Sequence, residues 1–250
     1  LKFEALDKKM RVFETAHDYC VLPEVYIVVR LDGRNFTRQT KELWDLEVPF
    51  DIRFRDAMIN TTHHLMNCGF HVVYGYTQSD EISLLLAPDE ATFGRKTRKL
   101  ISILAGEASA AFTLQMQQIA CFDARICELP SIDIVEDYFA WRQEDAHRNS
   151  LNAHSYWLLR KQGQSVQAAT NYLVGRTVSE KNELLFQNGI NFNDLPAWQK
   201  RGTGLYWQAY EKQAVNPLTQ QAVTTTRRKI QADLELPLGL PYKQFIHQLL

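Results

Sequence analysis

Two acidic residues carry the sharpest chemical signal in the chain: Asp32, in Leu31-Asp32-Gly33-Arg34, and Asp80, in Gln78-Ser79-Asp80-Glu81. Asp32 follows an apolar, β-branched run and is expected at the carboxyl end of a buried strand, while Asp80 is expected in the hairpin turn between the next two strands. Two carboxylates about 4 Å apart repel by roughly 4 kcal/mol at an effective dielectric of 20. Such a pair is tolerated when it shares a proton or binds a cation. Hard oxygen donors suit Mg²⁺, which keeps waters and completes its shell from substrate phosphates. Two Mg²⁺ ions held in this way can activate an attacking hydroxyl and stabilise a leaving pyrophosphate. Gly33 strengthens the pattern, because a residue without Cβ lets backbone groups approach metal and phosphate. Taken singly, Asp-Gly is an ordinary turn and Ser-Asp-Glu an ordinary cap. Their joint placement on paired strands is what points to metal-assisted chemistry on phosphates.

Cations follow close behind. Arg95, Lys96, Arg98 and Lys99 open a helical stretch, and Arg95, Arg98 and Lys99 share a face by i, i+3 and i+4 spacing. A solvated helix face is the plain reading of such a run, but beside a metal-binding edge it predicts contacts to triphosphate or RNA phosphates. Arg125 is expected near a strand end, where a structural ion pair is the competing role. His63 and His64 are adjacent on a helix, cannot both face one metal, and read as structural. Tyr138, Phe139, Trp141, Tyr156 and Trp157 read as core.

The elements that must position these groups are legible from periodicity. Leu6, Met10, Phe13, His17 and Cys20 recur at helical spacing and predict an amphipathic opening helix ended by Pro23. Residues 25–31 (VYIVVRL) predict a buried strand. Pro49 and Asp51 start a helix whose apolar face is Phe54, Met58 and Leu65, with Gly69 as its stop. Residues 70–76 and 81–86 form a hairpin about the turn 77–80. A basic helix is expected over 93–116 and a fourth strand over 122–126. The order β-α-β-β-α-β is the ferredoxin-like split motif, an α+β palm in which the first and third strands are central neighbours. Beyond Pro130, residues 132–161 and 178–186 predict helices, 188–204 turns, and 223–230 a strand. The division is thus a catalytic core over 1–130 and a mainly helical part over 131–250, with no linker, packed as one unit.

Composition bounds the rest. The chain has 250 residues, 45% hydrophobic and 23% charged, with a formal net charge of −1. A chain of this length buries a sizeable core without staples. With no global basic field, positive charge for RNA must be gathered locally. The four cysteines, Cys20, Cys68, Cys121 and Cys127, form no C-x-x-C pair, and reduced, mostly buried thiols are expected. Neither a leader nor an apolar stretch of about 18 residues is seen, which predicts a cytoplasmic protein without membrane contact.

Several collinear strings together resemble the tRNA-histidine guanylyltransferase family, more closely its bacterial and archaeal guanylyltransferase-like branch. They are RLDGRNF (30–36), YTQSDEIS (76–83), RKTRK (95–99), FDAR (122–125), DYFAWRQEDAHRN (137–149), KNELLF (181–186) and GINFN (189–193). The resemblance implies a polymerase palm working in the 3′-to-5′ direction on tRNA. The RNA 5′ end is activated with ATP or GTP, and the incoming nucleotide's 3′-hydroxyl then attacks it. It implies two Mg²⁺ ions on Asp32, the Gly33 carbonyl and Asp80, with Glu81 completing the Ser-Asp-Glu signature. It places nucleotide contacts on Gly33, Arg34, Asn35, Phe36, Thr37, Asp51, Ser79, Arg95, Lys96, Lys99, Arg125, Lys181 and Asn182. RNA contacts fall on Arg98, His147, Arg148 and Asn149. A homotetramer is implied as well.

Three departures bear on substrate. The family's His-Arg-Phe after the DGRxF turn reads Thr37-Arg38-Gln39. Its Lys-Pro-Asn-Asp reads Val48-Pro49-Phe50-Asp51, which loses a lysine linked to activation. Its HINNLYNT reads HRNSLNAH over 147–154. These favour template-dependent 5′-end repair over addition of an unpaired guanosine to histidine tRNA. A noncatalytic RNA-recognition module shares the split order, but it needs stacking aromatics in RNP-like strings, and 70–76 and 122–128 do not fit them. A nucleotide cyclase with the same palm would need no polynucleotide, so RNA binding separates it.

Overall fold

In the computed structural model, which describes residues 2–40, 44–215 and 221–250, the run at 25–31 becomes β1 (Tyr26–Gly33). Before it lies α1 (Phe3–Thr15), which ends eight residues before Pro23, leaving His17 and Cys20 outside the expected helix, and which buries none of its residues. A short helical turn, α2 (Phe36–Arg38), follows β1 and precedes α3 (Ile52–Leu65). Asp51 caps α3, its carboxylate accepting from the Arg53 amide at 2.6 Å. Then come β2 (Val72–Gln78), β3 (Glu81–Leu86), α4 (Thr97–Met116) and β4 (Phe122–Leu129). The split order is therefore present.

The basic helix starts later than its sequence suggests. Phe93, Gly94 and Arg95 have φ of 53°, 63° and 56°, so a 3₁₀ turn over Thr92–Arg95 precedes α4. Left-handed backbone cannot continue a right-handed helix.

The second half opens with α5 (Ile132–Lys161), 30 residues long, with the bounds its pattern predicts, capped by Ser131. It continues through α6 (Val166–Leu173), α7 (Val178–Gln187), a 3₁₀ turn (Phe192–Asp194) and α8 (Ala197–Arg201). Two long strands, β5 (Thr203–Val215) and β6 (Ala222–Asp233), precede the final α9 (Leu240–His247).

All pairings are antiparallel in a six-stranded sheet ordered β4-β1-β3-β2-β5-β6. The C-terminal strands therefore extend the palm's own sheet at β2. Every residue of β3 is buried because both faces are covered. On one side Val29, Leu31, Ile82 and Leu84 meet Met58 of α3 and Leu104 and Phe112 of α4. On the other, Val28, Tyr74, Tyr76 and Leu85 meet Phe139 of α5 and Tyr242 and Ile246 of α9. The thiols are less buried than expected: Cys20 and Cys121 are exposed, Cys68 and Cys127 partly covered, and all are free. Among the described residues no helix is long and apolar enough to cross a membrane.

Candidate active site

Alternation along β1 sends Asp32 to the same sheet face as Val28, the face that α5 covers. Asp32 stands opposite Glu81 in the β1–β3 ladder, while Gln78 pairs with Glu81 across the hairpin. Ser79 takes φ of 49°, which allows so short a turn. The Gly33 N–H then donates to the Asp80 carbonyl oxygen at 3.0 Å and ties the hairpin tip to the end of β1. Asp32, Ser79 and Asp80 line one cleft of about 570 Å³.

Burial pushes the Asp80 carboxyl above its usual range, and the charge of Asp32 adds to this; backbone and Ser79 hydrogen bonds oppose it. The cleft offers the carboxylates of Asp32 and Asp80, with no cluster of three or more His, Cys, Asp or Glu among the described residues. That pair fits Mg²⁺, which takes one or two carboxylates and substrate phosphates. A Cβ on Gly33 would lie 2.6 Å from the Phe36 ring, so space alone demands glycine. Phe36 is a packing hub, with ring centroids 5.3 Å from Trp44, 5.2 Å from Phe112 and 5.1 Å from Phe122.

Beside this pair lies a buried ion cluster. Arg142 Nε donates to Glu81 Oε1 at 2.8 Å, and its Nη2 to Asp145 Oδ2 at 2.5 Å. Asn149 Nδ2 donates to the same Asp145 oxygen at 3.2 Å. The spacing 142, 145, 149 puts all three on one face of α5. Burial raises the Glu81 carboxyl, while Arg142 and Arg30 pull it back. Glu81 is thus engaged by an arginine, although it also borders the cleft.

The other expected contacts divide. Thr37 lines the cleft and Arg34 and Asn35 are exposed beside it in sequence. Asp51 also borders the cleft, but its oxygens are taken by the amides of Glu47 and Arg53 and by the Arg53 guanidinium. Arg95 is buried and donates to the carbonyls of Val25 and Pro88, so it fastens β1 to the turn before α4. Lys96 and Arg98 both bind Asp18, and Lys99 lies 5.5 Å from the centroid of Phe93. Arg125 sits in mid-strand opposite Arg30, half-exposed and 3.6 Å from Asp123.

Lys181 Nζ donates at 3.1 Å to Asn152, which borders the cleft. The trio at 147–149 is split by the helix: Asn149 faces the main cleft and Arg148 is exposed. His147 lines a second hollow of about 300 Å³ with Asn182. Burial, Lys200 and Arg201 lower the His147 pKa.

Sequence reading missed Arg142, Asp145, Phe50, Arg55 and Trp198, all at or behind the cleft wall, and assigned Trp157 to the core although it borders the cleft. An Arg–Asp pair at i, i+3 within 137–149 was the available signal for the first two. The others converge only through tertiary packing.

Residues 7–130 match the family described as tRNAHis guanylyltransferase, and residues 133–236 match the Thg1 C terminal domain. The tRNA(His) guanylyltransferase of Debaryomyces hansenii is 34% identical over 225 residues, covering 84% of each chain. A probable tRNA(His) guanylyltransferase of Drosophila melanogaster is also 34% identical, over 83% of this chain and 78% of its own. Among solved structures, a bacterial tRNA(His) guanylyltransferase (Thg1)-like protein in complex with GTP superposes with a TM-score of 0.76, at 28% identity and 98% coverage of both chains. The corresponding structure in complex with ATP gives 0.75, also at 28% identity and 98% coverage of both chains. With both halves of the chain matched, it belongs to the tRNAHis guanylyltransferase family of nucleotidyltransferases.

Proposed function

We propose that the chain repairs tRNA 5′ ends by template-dependent 3′-to-5′ nucleotide addition, after 5′ activation by ATP or GTP. The observation that carries it is the Asp32–Asp80 pair at one cleft, held together through backbone rather than side chains. Asp32, Asp80 and the Gly33 carbonyl would hold two Mg²⁺ ions, which would neutralise charge on the pyrophosphate leaving during 5′ activation and on the nucleoside monophosphate leaving in the transfer step, and would supply a more acidic 3′-hydroxyl. Ser79 orients the Asp80 carboxylate through its 3.1 Å hydrogen bond. Half-exposed Arg125, in a loose 3.6 Å pair with Asp123, and Lys181, bonded to Asn152, are the cations offered to phosphates.

Val48 lines the cleft where the family pattern has lysine, and the altered 147–154 segment flanks it. With Watson–Crick pairing to the acceptor strand choosing the nucleotide, the protein reads helix shape and phosphates. The structures of bacterial relatives with ATP and with GTP support both nucleotides as ligands. The exposed apolar residues Phe3, Met10 and Phe13 of α1 suit assembly into a cytoplasmic homotetramer.

The test uses tRNAs lacking one 5′ residue, with each of the four bases opposite the gap, and sequences the 5′ ends after incubation. Addition of the complementary nucleotide in all four cases is expected. Guanosine addition whatever the opposing base would replace repair with the histidine-tRNA role.

A further inference from the structure

The cleft presents aromatic rings as well as carboxylates. Phe50, Arg55, Trp157 and Trp198 line it and are half-buried, unlike the fully packed rings of Phe36, Tyr74 and Phe139. Phe50 meets Trp198 edge to face with centroids 5.8 Å apart, and its other neighbour is the His154 ring at 5.3 Å. The Arg55 guanidinium carbon lies 4.8 Å from the centroid of the Trp198 ring and is held by Asp56 at 2.7 Å. His154 is fixed in turn by Gln199 at 3.1 Å. Ring surface left facing a cleft, with a guanidinium stacked on it, is the chemistry that receives an unstacked base. A cleft of about 570 Å³ also has room for more than phosphates and metal. Position 50 departs from the family pattern, so this ring belongs to this chain's own sequence.

We propose that Phe50 and Trp198, backed by Arg55, form a stacking subsite for a nucleobase in the cleft that also holds Asp32 and Asp80. The inference rests on the nucleotidyl-transfer reading above. The base comes either from the bound triphosphate or from the 5′-terminal nucleotide of the RNA.

Two ligand pairs separate the sources: ATP against ribose 5-triphosphate, and an RNA hairpin against the same hairpin with an abasic 5′-terminal nucleotide. Equilibrium binding is measured for the wild type, Phe50→Leu and Trp198→Leu, which keep apolar bulk but lose the π-face. Each variant is expected to weaken the base-bearing member of one pair by about 5- to 100-fold. The base-free member should change by less than about twofold, and the pair that responds identifies the source. If base-bearing and base-free ligands weaken equally, or neither changes, the subsite is overturned and the proposed function stands. A wild type that binds neither triphosphate nor RNA would remove both. Should either variant fail to fold by circular dichroism, tryptophan fluorescence of the wild type carries the test. Quenching by ATP or the intact hairpin but not by its base-free partner supports the subsite, and equal quenching overturns it.

Discussion

The Gly33 amide donates to the carbonyl oxygen of Asp80 across 3.0 Å, so the strand end and hairpin tip are joined without either carboxylate. Asp32→Ala or Asp80→Ala should therefore leave the fold intact while abolishing nucleotide addition. Thermal stability of the metal-free protein should hold or rise, because one of two mutually repelling carboxylates is gone. Substantial Mg²⁺-dependent addition by either variant would remove them from the metal site.

Gly33→Ala tests packing at the same point. Its Cβ would meet the Phe36 ring at 2.6 Å, and Phe36 is held by Trp44, Phe112 and Phe122. Overpacking of this kind costs about 1–3 kcal/mol. Calorimetry should show a fall in Tm of about 2–4 °C for each kcal/mol.

Arg142 neutralises a buried carboxylate. Arg142→Ala leaves Glu81 without its guanidinium and is expected to cost about 3–5 kcal/mol. Pairing Arg142→Met with Glu81→Gln should recover much of this in urea titrations. Simple additivity of the two changes would show that the residues act independently.

Arg125 and Arg95 should separate cleanly, although the sequence leads one to expect phosphate contacts from both. Loss of a charge-assisted phosphate contact is worth roughly 1.5–3 kcal/mol. Arg125→Ala should therefore lower kcat/KM for the triphosphate by about tenfold to a few hundredfold, with Tm unchanged. Arg95→Ala should instead lower Tm, because it strips hydrogen bonds from the carbonyls of Val25 and Pro88.

Asp51 gives a pH signature. Burial works to raise its carboxyl, yet Arg53 and the amides of Glu47 and Arg53 prevail and hold it at about 2. The folded pKa lies below the unfolded one of about 3.9, so the stabilisation is complete above that value. It is lost as pH falls from about 4 towards 2, and is on the order of 2 kcal/mol. Asp51→Asn should flatten this acid limb in denaturant titrations between pH 2 and 5.

Much of the fold could be read in advance because its strands are covered on both faces and its helices keep apolar period. The runs at 25–31 and 81–86 are strands, and α5 begins and ends where its pattern does. The strand β5 escaped because Gly202 and Gly204 read as turns. In fact Gly204 leaves room for the Tyr74 hydroxyl, from which a Cβ would stand only 2.6 Å away. The placement of Asp32 and Asp80 was legible because one lies near the end of a strand and the other in the tight turn of a hairpin. Arg95 looked like a phosphate ligand from its neighbours, but three successive left-handed residues turn it into the protein. Phe50 and Arg55 flank the start of α3 without sharing a helical spacing, and Trp198 comes from distant α8.

The β5–β6 hairpin outruns its support. β2 pairs with β5 only over residues 203–206, whereas β5 and β6 stay paired out to Val215 and Ala222. Trp207 marks the last firm anchor, its indole N–H donating to the Val72 carbonyl at 2.9 Å. Among the described residues the ribbon beyond it has two strands and no third, a construction of marginal stability in water. Its outer rungs should exchange amide hydrogen for deuterium well before those of β1 and β3, through a local opening that leaves the palm shut. One continuous sheet should therefore open as two cooperative units, with the boundary between them at the indole of Trp207.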